Sequence, residues 1–210
     1  MKKVIFIFTI GVLSLTACHT ETKHSEGEHQ HGKIEKTQEG SDEDNHREHQ
    51  HGNSEEKVDR NIQTSKKKNS STTAIINGYL QIKNGLIADD KRTAAIGGSS
   101  LLSAFSEFDM TKLSEEQHKE YMEIYENAKE QAEHIVKSPL DHQREHFEVL
   151  SNDINDLITL LGTEKTLYQD FCPMVNGGKG AIWLSEKEEI KNPFYGNKML
   201  TCGKIQKQIN

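Results

Sequence analysis

Apolar residues follow four different patterns along this 210-residue chain. Residues 4–15 form an almost unbroken apolar run. From position 19 to about 71 apolar residues nearly vanish. From 72 to 161 they return three or four apart, which is the spacing of amphipathic helices. After Gly162 that period fades.

The helical stretch divides into four. Ile75, Tyr79, Ile82 and Leu86 mark a first helix ending near Asp89. A second covers roughly 90–108, with Ala95, Leu102 and Phe105 on one face and Gly97 and Gly98 weakening it. Ser114 opens a third, with Gln117 placed to complete a capping box, and Tyr121, Met122, Tyr125, Ala128, Ala132 and Ile135 form its stripe. Pro139 forbids its continuation. Asp141 can cap a fourth helix, in which Phe147, Leu150, Ile154, Leu157 and Leu161 form the cleanest stripe, and Gly162 stops it. The pattern predicts a mainly α fold: an antiparallel four-helix bundle over 72–162. A small C-terminal β-hairpin and loop module follows over 163–210, packed on the bundle. Its strands are expected at 181–185, through Trp183, and at 199–209, with Trp183 and Phe194 as the apolar anchor.

The composition is 33% hydrophobic and 28% charged, which allows one ordinary domain plus an unfolded stretch rather than two cores. A net charge of -7 argues against a nucleic-acid partner. The opening apolar run follows Lys2 and Lys3 and is too short for a stable membrane span. It ends in Leu15-Thr16-Ala17-Cys18, which matches the bacterial lipobox. Residues 1–17 thus read as a lipoprotein signal peptide, cleaved before an acylated Cys18. No later segment is apolar enough to span. The expected location is the cell envelope, anchored by lipid to the outer or inner membrane.

Residues 18–71 read as a disordered, His-rich linker. At about 50 residues it has an end-to-end distance of roughly 40 Å. Seven of the eleven histidines lie in it, and the segment EHQHG occurs at 28–32 and again at 48–52. His29, His31, His46, His49 and His51 are candidate low-affinity ligands for zinc, nickel or copper, because neutral imidazoles bind such ions and nearby carboxylates concentrate them. A polar spacer is the other reading. In the helical part, His142 and His146 are four apart and share a face, as paired helical ligands do. Two solvated histidines at a helix end is the alternative. The segment reads H-Q-R-E-H, not the H-E-x-x-H of zinc proteases. His118 and His134 read as ordinary helix-surface residues.

Cys172 and Cys202 are the only cysteines besides Cys18, and Met174 and Met199 stand close to them. Thiolate and thioether are soft donors that select Cu(I). If the hairpin brings the segments together, Cys172, Met174, Met199 and Cys202 converge, and His142 or His146 could complete the set. The competing reading is a Cys172–Cys202 disulfide with the methionines as packing.

The segment FCPMVNGGKGAIWLSEKEEIKNPFYGNKMLTCG is similar to the C-terminal signature of domain-of-unknown-function family 3347. INGYLQIKNGLIADD and HQREHFEVLS resemble its helical part. The resemblance covers about 74–209. It implies a bacterial envelope protein, often a lipoprotein, related to domains attached to periplasmic adaptors of heavy-metal efflux systems. The Cys-Pro-Met is similar to a heavy-metal motif of such adaptors, which continues into His-Pro where this chain has Val175-Asn176.

The expected function is a membrane-anchored extracytoplasmic metal-binding protein for copper. Cys and Met would hold Cu(I), and the tail would hold divalent ions, for buffering or for delivery to an efflux adaptor. The alternative is a disulfide-stabilised interaction module of the envelope with no metal in the fold. No enzyme is expected: the cysteines lack C-x-x-C spacing, and no nucleophile–base pattern is present.

Overall fold

The computed structural model describes Arg60, Ile62 and residues 68–209. The leader, the lipid site at Cys18 and the tail histidines His29, His31, His46, His49 and His51 lie outside the described residues.

Each apolar stripe becomes a helix. Helix α1 is Thr73–Ile87, α2 is Lys91–Ser106, α3 is Glu115–Lys137 and α4 is Leu140–Leu161. Helix α2 begins where the Asp90 carboxylate accepts from the backbone N–H groups of Arg92 and Thr93. The capping box at α3 is present, with Ser114 and Gln117 satisfying each other's backbone N–H groups. Gly162 ends α4 at φ 82°, a conformation open to glycine. Asp141 is not the cap of α4. Pro139, at φ −65°, occupies that position, so the helix starts earlier and Asp141 falls in its first turn. None of the described helices is long and apolar enough to cross a membrane.

Helix α1 packs on α2, α2 on α3, and α3 on α4. The two glycines that weaken α2 as an isolated helix are what lets it pack. A Cβ on Gly97 would stand 2.5 Å from Ile82 N of α1, and one on Gly98 would stand 3.0 Å from Val136 Cγ2 of α3. The lost helix propensity, about 1 kcal/mol per glycine, is exchanged for close helix contact on two sides.

The C-terminal part is a three-stranded antiparallel sheet of β1 (Leu167–Cys172), β2 (Ala181–Ser185) and β3 (Lys204–Ile209), in the order β2-β1-β3. The two strands expected from the sequence do not pair with each other. Both pair with β1, which stands between them, and the hairpin is β1–β2. In register, Asp170 faces Trp183, Cys172 faces Ala181 and Phe171 faces Lys204, with a register shift between Gln169 and Asp170.

A line of aromatic contacts joins helices to sheet. Tyr79 of α1 stacks on Phe147 of α4 at 5.0 Å, Phe147 meets Phe194 at 5.8 Å, and Phe194 meets the fully buried Trp183 edge-on at 5.9 Å. Such pairs contribute about 0.5–1.5 kcal/mol each beyond their burial. The Tyr79 hydroxyl lies 2.8 Å from Ser151 Oγ and accepts the Leu184 N–H at 3.0 Å. Trp183 and Phe194 are thus the anchor expected from the sequence.

Candidate metal centre

Only Ser138 and Pro139 separate α3 from α4, so the last turns of one helix lie beside the first turns of the other. That closeness brings three imidazoles together. His142 and His146, one helical turn apart on α4, meet His134 of α3, and one ring nitrogen from each lies within 4.8 Å of the other two. His134 stacks on His146 with ring centroids 4.3 Å apart, and His142 meets His146 edge-on at 4.4 Å. The Nε2 atoms of His142 and His146 are 3.0 Å apart.

Two oxygens orient the rings. Gln131 Oε1 lies 2.6 Å from His146 Nδ1, and Glu145 Oε2 lies 2.6 Å from His142 Nδ1. Each oxygen acts as an acceptor, so each Nδ1 carries the proton and each Nε2 presents its lone pair. The two Nε2 atoms then stand within hydrogen-bond distance, 3.0 Å apart. A shared proton or a metal ion can bridge two nitrogens at that spacing. An oxygen behind the far nitrogen is also the usual support of a ligating histidine, because it fixes the ring and raises its basicity.

The helix ends act in opposite senses. His134 lies in the last turn of α3, where the helix dipole favours a cation, whereas His142 lies near the start of α4, where it does not. The acidic neighbours Asp141 and Glu145 offset the second effect. Gln131 is 3% exposed, so one ring support is buried, while His142 is open to solvent. An ion held here would have a rigid inner wall and an exchangeable outer side.

The sulfur pair is separate. Cys172 Sγ and Cys202 Sγ lie 2.6 Å apart, with Cys172 fully buried and Cys202 half-buried. Contact with Cys172, followed by desolvation, pushes the Cys202 thiol up to about 11. Met174 is 58% exposed, and its carbonyl accepts from the Tyr195 hydroxyl. Met199 is half-buried, and its carbonyl accepts the Cys202 N–H. The structure pairs thiol with thiol and imidazole with imidazole.

Sequence reasoning found His142 and His146 but passed over His134, which is half-buried in the cluster rather than an ordinary surface residue. It also passed over Gln131 and Glu145. The available signal was Gln131, a polar residue standing in the apolar stripe of α3, with His134 three positions on, just before the proline turn.

Residues 75–166 match the model of the family described as "Protein of unknown function (DUF3347)". The matched segment contains His134, His142 and His146 and ends before Cys172. No curated protein and no solved structure matches the chain.

Proposed function

We propose that this chain is a membrane-anchored, extracytoplasmic metal-binding protein whose principal site is His134, His142 and His146. The observation that carries this reading is the facing pair of Nε2 atoms 3.0 Å apart, each on a ring whose other nitrogen is held by an oxygen. Three imidazoles suit Cu(II), Zn(II) and Ni(II), and Cu(II) binds most strongly in the usual affinity order. The copper preference expected from the sequence is kept, but the principal donors are nitrogens and the oxidation state is Cu(II). The four helices are read as an antiparallel bundle, supported by the two-residue turn between α3 and α4 and by the close α1–α2 contact. The lipobox supports anchoring at Cys18, and the tail histidines supply weak collection of the same ions. The family resemblance supports buffering of metal, or its delivery to an efflux adaptor, as the cellular role.

The test is a binding titration of the full chain with Cu(II), and separately with Zn(II), against a competing chelator chosen to strip the tail. The parent is expected to retain one equivalent more than the His134→Ala, His142→Ala, His146→Ala variant. Equal retention by the two proteins removes the site.

The alternative is an envelope interaction module held by a Cys172–Cys202 disulfide with no ion in the fold. The 2.6 Å thiol contact favours the disulfide part of that reading, and it is compatible with the imidazole site as well.

A further inference from the structure

We infer that Cys172 and Cys202 are a thiol–disulfide exchange pair, entered through Cys202 and closed by Cys172, and that their product is an intramolecular disulfide rather than a metal site. The inference does not rest on the imidazole cluster.

Geometry speaks first. Two sulfurs bound to one tetrahedral ion at about 2.3 Å each stand roughly 3.7 Å apart. Here the Sγ atoms are 2.6 Å apart, closer than two ligands of one ion can be. The surrounding backbone fixes this approach. Cys172 ends β1 opposite Ala181, and the neighbouring pair Phe171–Lys204 closes the ladder between β1 and β3. On the other side the buried Asn192 donates from Nδ2 to the Cys202 carbonyl at 2.8 Å, and its N–H donates to the Leu200 carbonyl at 2.7 Å. The backbone therefore holds the two sulfurs inside non-bonded contact, and closing the bond needs little further backbone movement.

Exposure sets the order of events. Cys172 is 0% exposed, so an external disulfide cannot reach it in the folded chain. Cys202 is half-buried and can be reached. The Cys202 thiol loses its proton, and its sulfur attacks one sulfur of a small disulfide such as oxidised glutathione. One thiolate leaves, and a mixed disulfide remains on Cys202. Cys172 then loses its proton and attacks the Cys202 sulfur, displacing the second thiolate. The two protein thiols are oxidised, the external disulfide is reduced to two thiols, and the two protons end on those products.

Energetics set the direction. A dithiol pair is a strong oxidant when its reduced form is stabilised as a thiolate. The surroundings of Cys202 do the reverse: its thiolate is disfavoured by its neighbour and by desolvation, and no cation is among the causes of the shift. The closed form should persist at ordinary thiol concentrations. This is a staple, not a relay.

The experiment uses the full chain with Cys18→Ser, which leaves these two thiols alone. The reduced protein is incubated with oxidised glutathione and analysed by intact mass and peptide mapping. The parent is expected to lose two hydrogens and yield a peptide linking Cys172 to Cys202. The Cys172→Ser variant should stop with one glutathionyl group on Cys202. The Cys202→Ser variant should take up none while folded and one in urea, which shows that burial protects Cys172. Two free thiols in the parent, or glutathione on both, would overturn the inference. So would glutathione uptake by folded Cys202→Ser at the rate seen in urea. The peptide map of the parent decides the bond even if a variant folds poorly. Because the chelator titration reads the imidazole site, either assignment can fail alone.

Discussion

The helical hairpin and the end of the sheet's central strand both gather atoms of the kinds that ligate metals, but by opposite means. On the hairpin the three rings come from residues 12 positions apart at most, brought together by one helical turn and one two-residue connection. At the sheet the two sulfurs are 30 residues apart and meet where β1 pairs with β3. The rings bring one nitrogen each to within 4.8 Å of the other two, and His142 leaves the outer side open to water. The sulfurs stand 2.6 Å from each other, which leaves no room for an ion between them. Soft donors in a sequence therefore indicate a metal only when the fold leaves them room for one. Here the harder nitrogen donors have that room.

The largest expected effect tests the covalent half of this contrast. Reducing the Cys172–Cys202 bond, or replacing both residues by Ser, should lower stability by about 3–4 kcal/mol on the chain-entropy estimate for a loop of this length. Urea denaturation with and without reductant measures it, and Cu(II) retention should not change. A loss of both together would mean that the two regions are one site.

Next comes the support of the rings. Gln131→Ala should weaken Cu(II) binding by about 10–100-fold, the usual range for removing the partner of a ligating histidine. Glu145→Ala should cost less, because its carboxylate is 71% exposed and is screened by water. Chelator competition on each variant gives the ratio. If Glu145 mattered more than Gln131, the outer side of the site would be the rigid one.

A smaller effect separates the two ends by pH. Asp170, two residues before Cys172, is fully buried, and neither carboxylate oxygen has a hydrogen-bond partner among the described residues. Burial pushes it up to about 7, opposed by the Lys83 ammonium, which is itself held by Glu186 at 2.8 Å. Its folded pKa lies above the unfolded value, so its contribution to stability is complete below about pH 4 and is lost as pH rises through 7. Between pH 6 and 8 the loss should be about 1.4 kcal/mol, and Asp170→Asn should flatten that slope in urea titrations. Metal binding should move the other way, weakening in acid as protons compete for the rings. Parallel pH responses would contradict the separation.

The helices were legible in the sequence because each had a stripe of apolar residues and local punctuation: Ser114 with Gln117, Pro139 and Gly162. Strand β1 was not. Its LYQDFC has a charged residue at its centre, and it shifts register at Gln169–Asp170, so burial does not alternate along it. With β1 unseen, the two remaining strands were expected to pair with each other. His134 was missed for a different reason. Its role depends on which side of α3 meets α4, and spacing within one helix does not report that. The sulfur pair was legible as a pair, and choosing between bond and ligand needed a distance.

The turn at Ser138–Pro139 has one more consequence. An ion on the three rings would bridge two helices directly above the shortest connection between them, like a clasp at the fold of a hinge. Binding only to the folded chain, it would stabilise the fold by an amount that grows with the logarithm of its free concentration, about 2.7 kcal/mol at a hundredfold excess over Kd, and so raise the unfolding temperature. The melting point of this protein would then serve as a gauge of the surrounding metal supply.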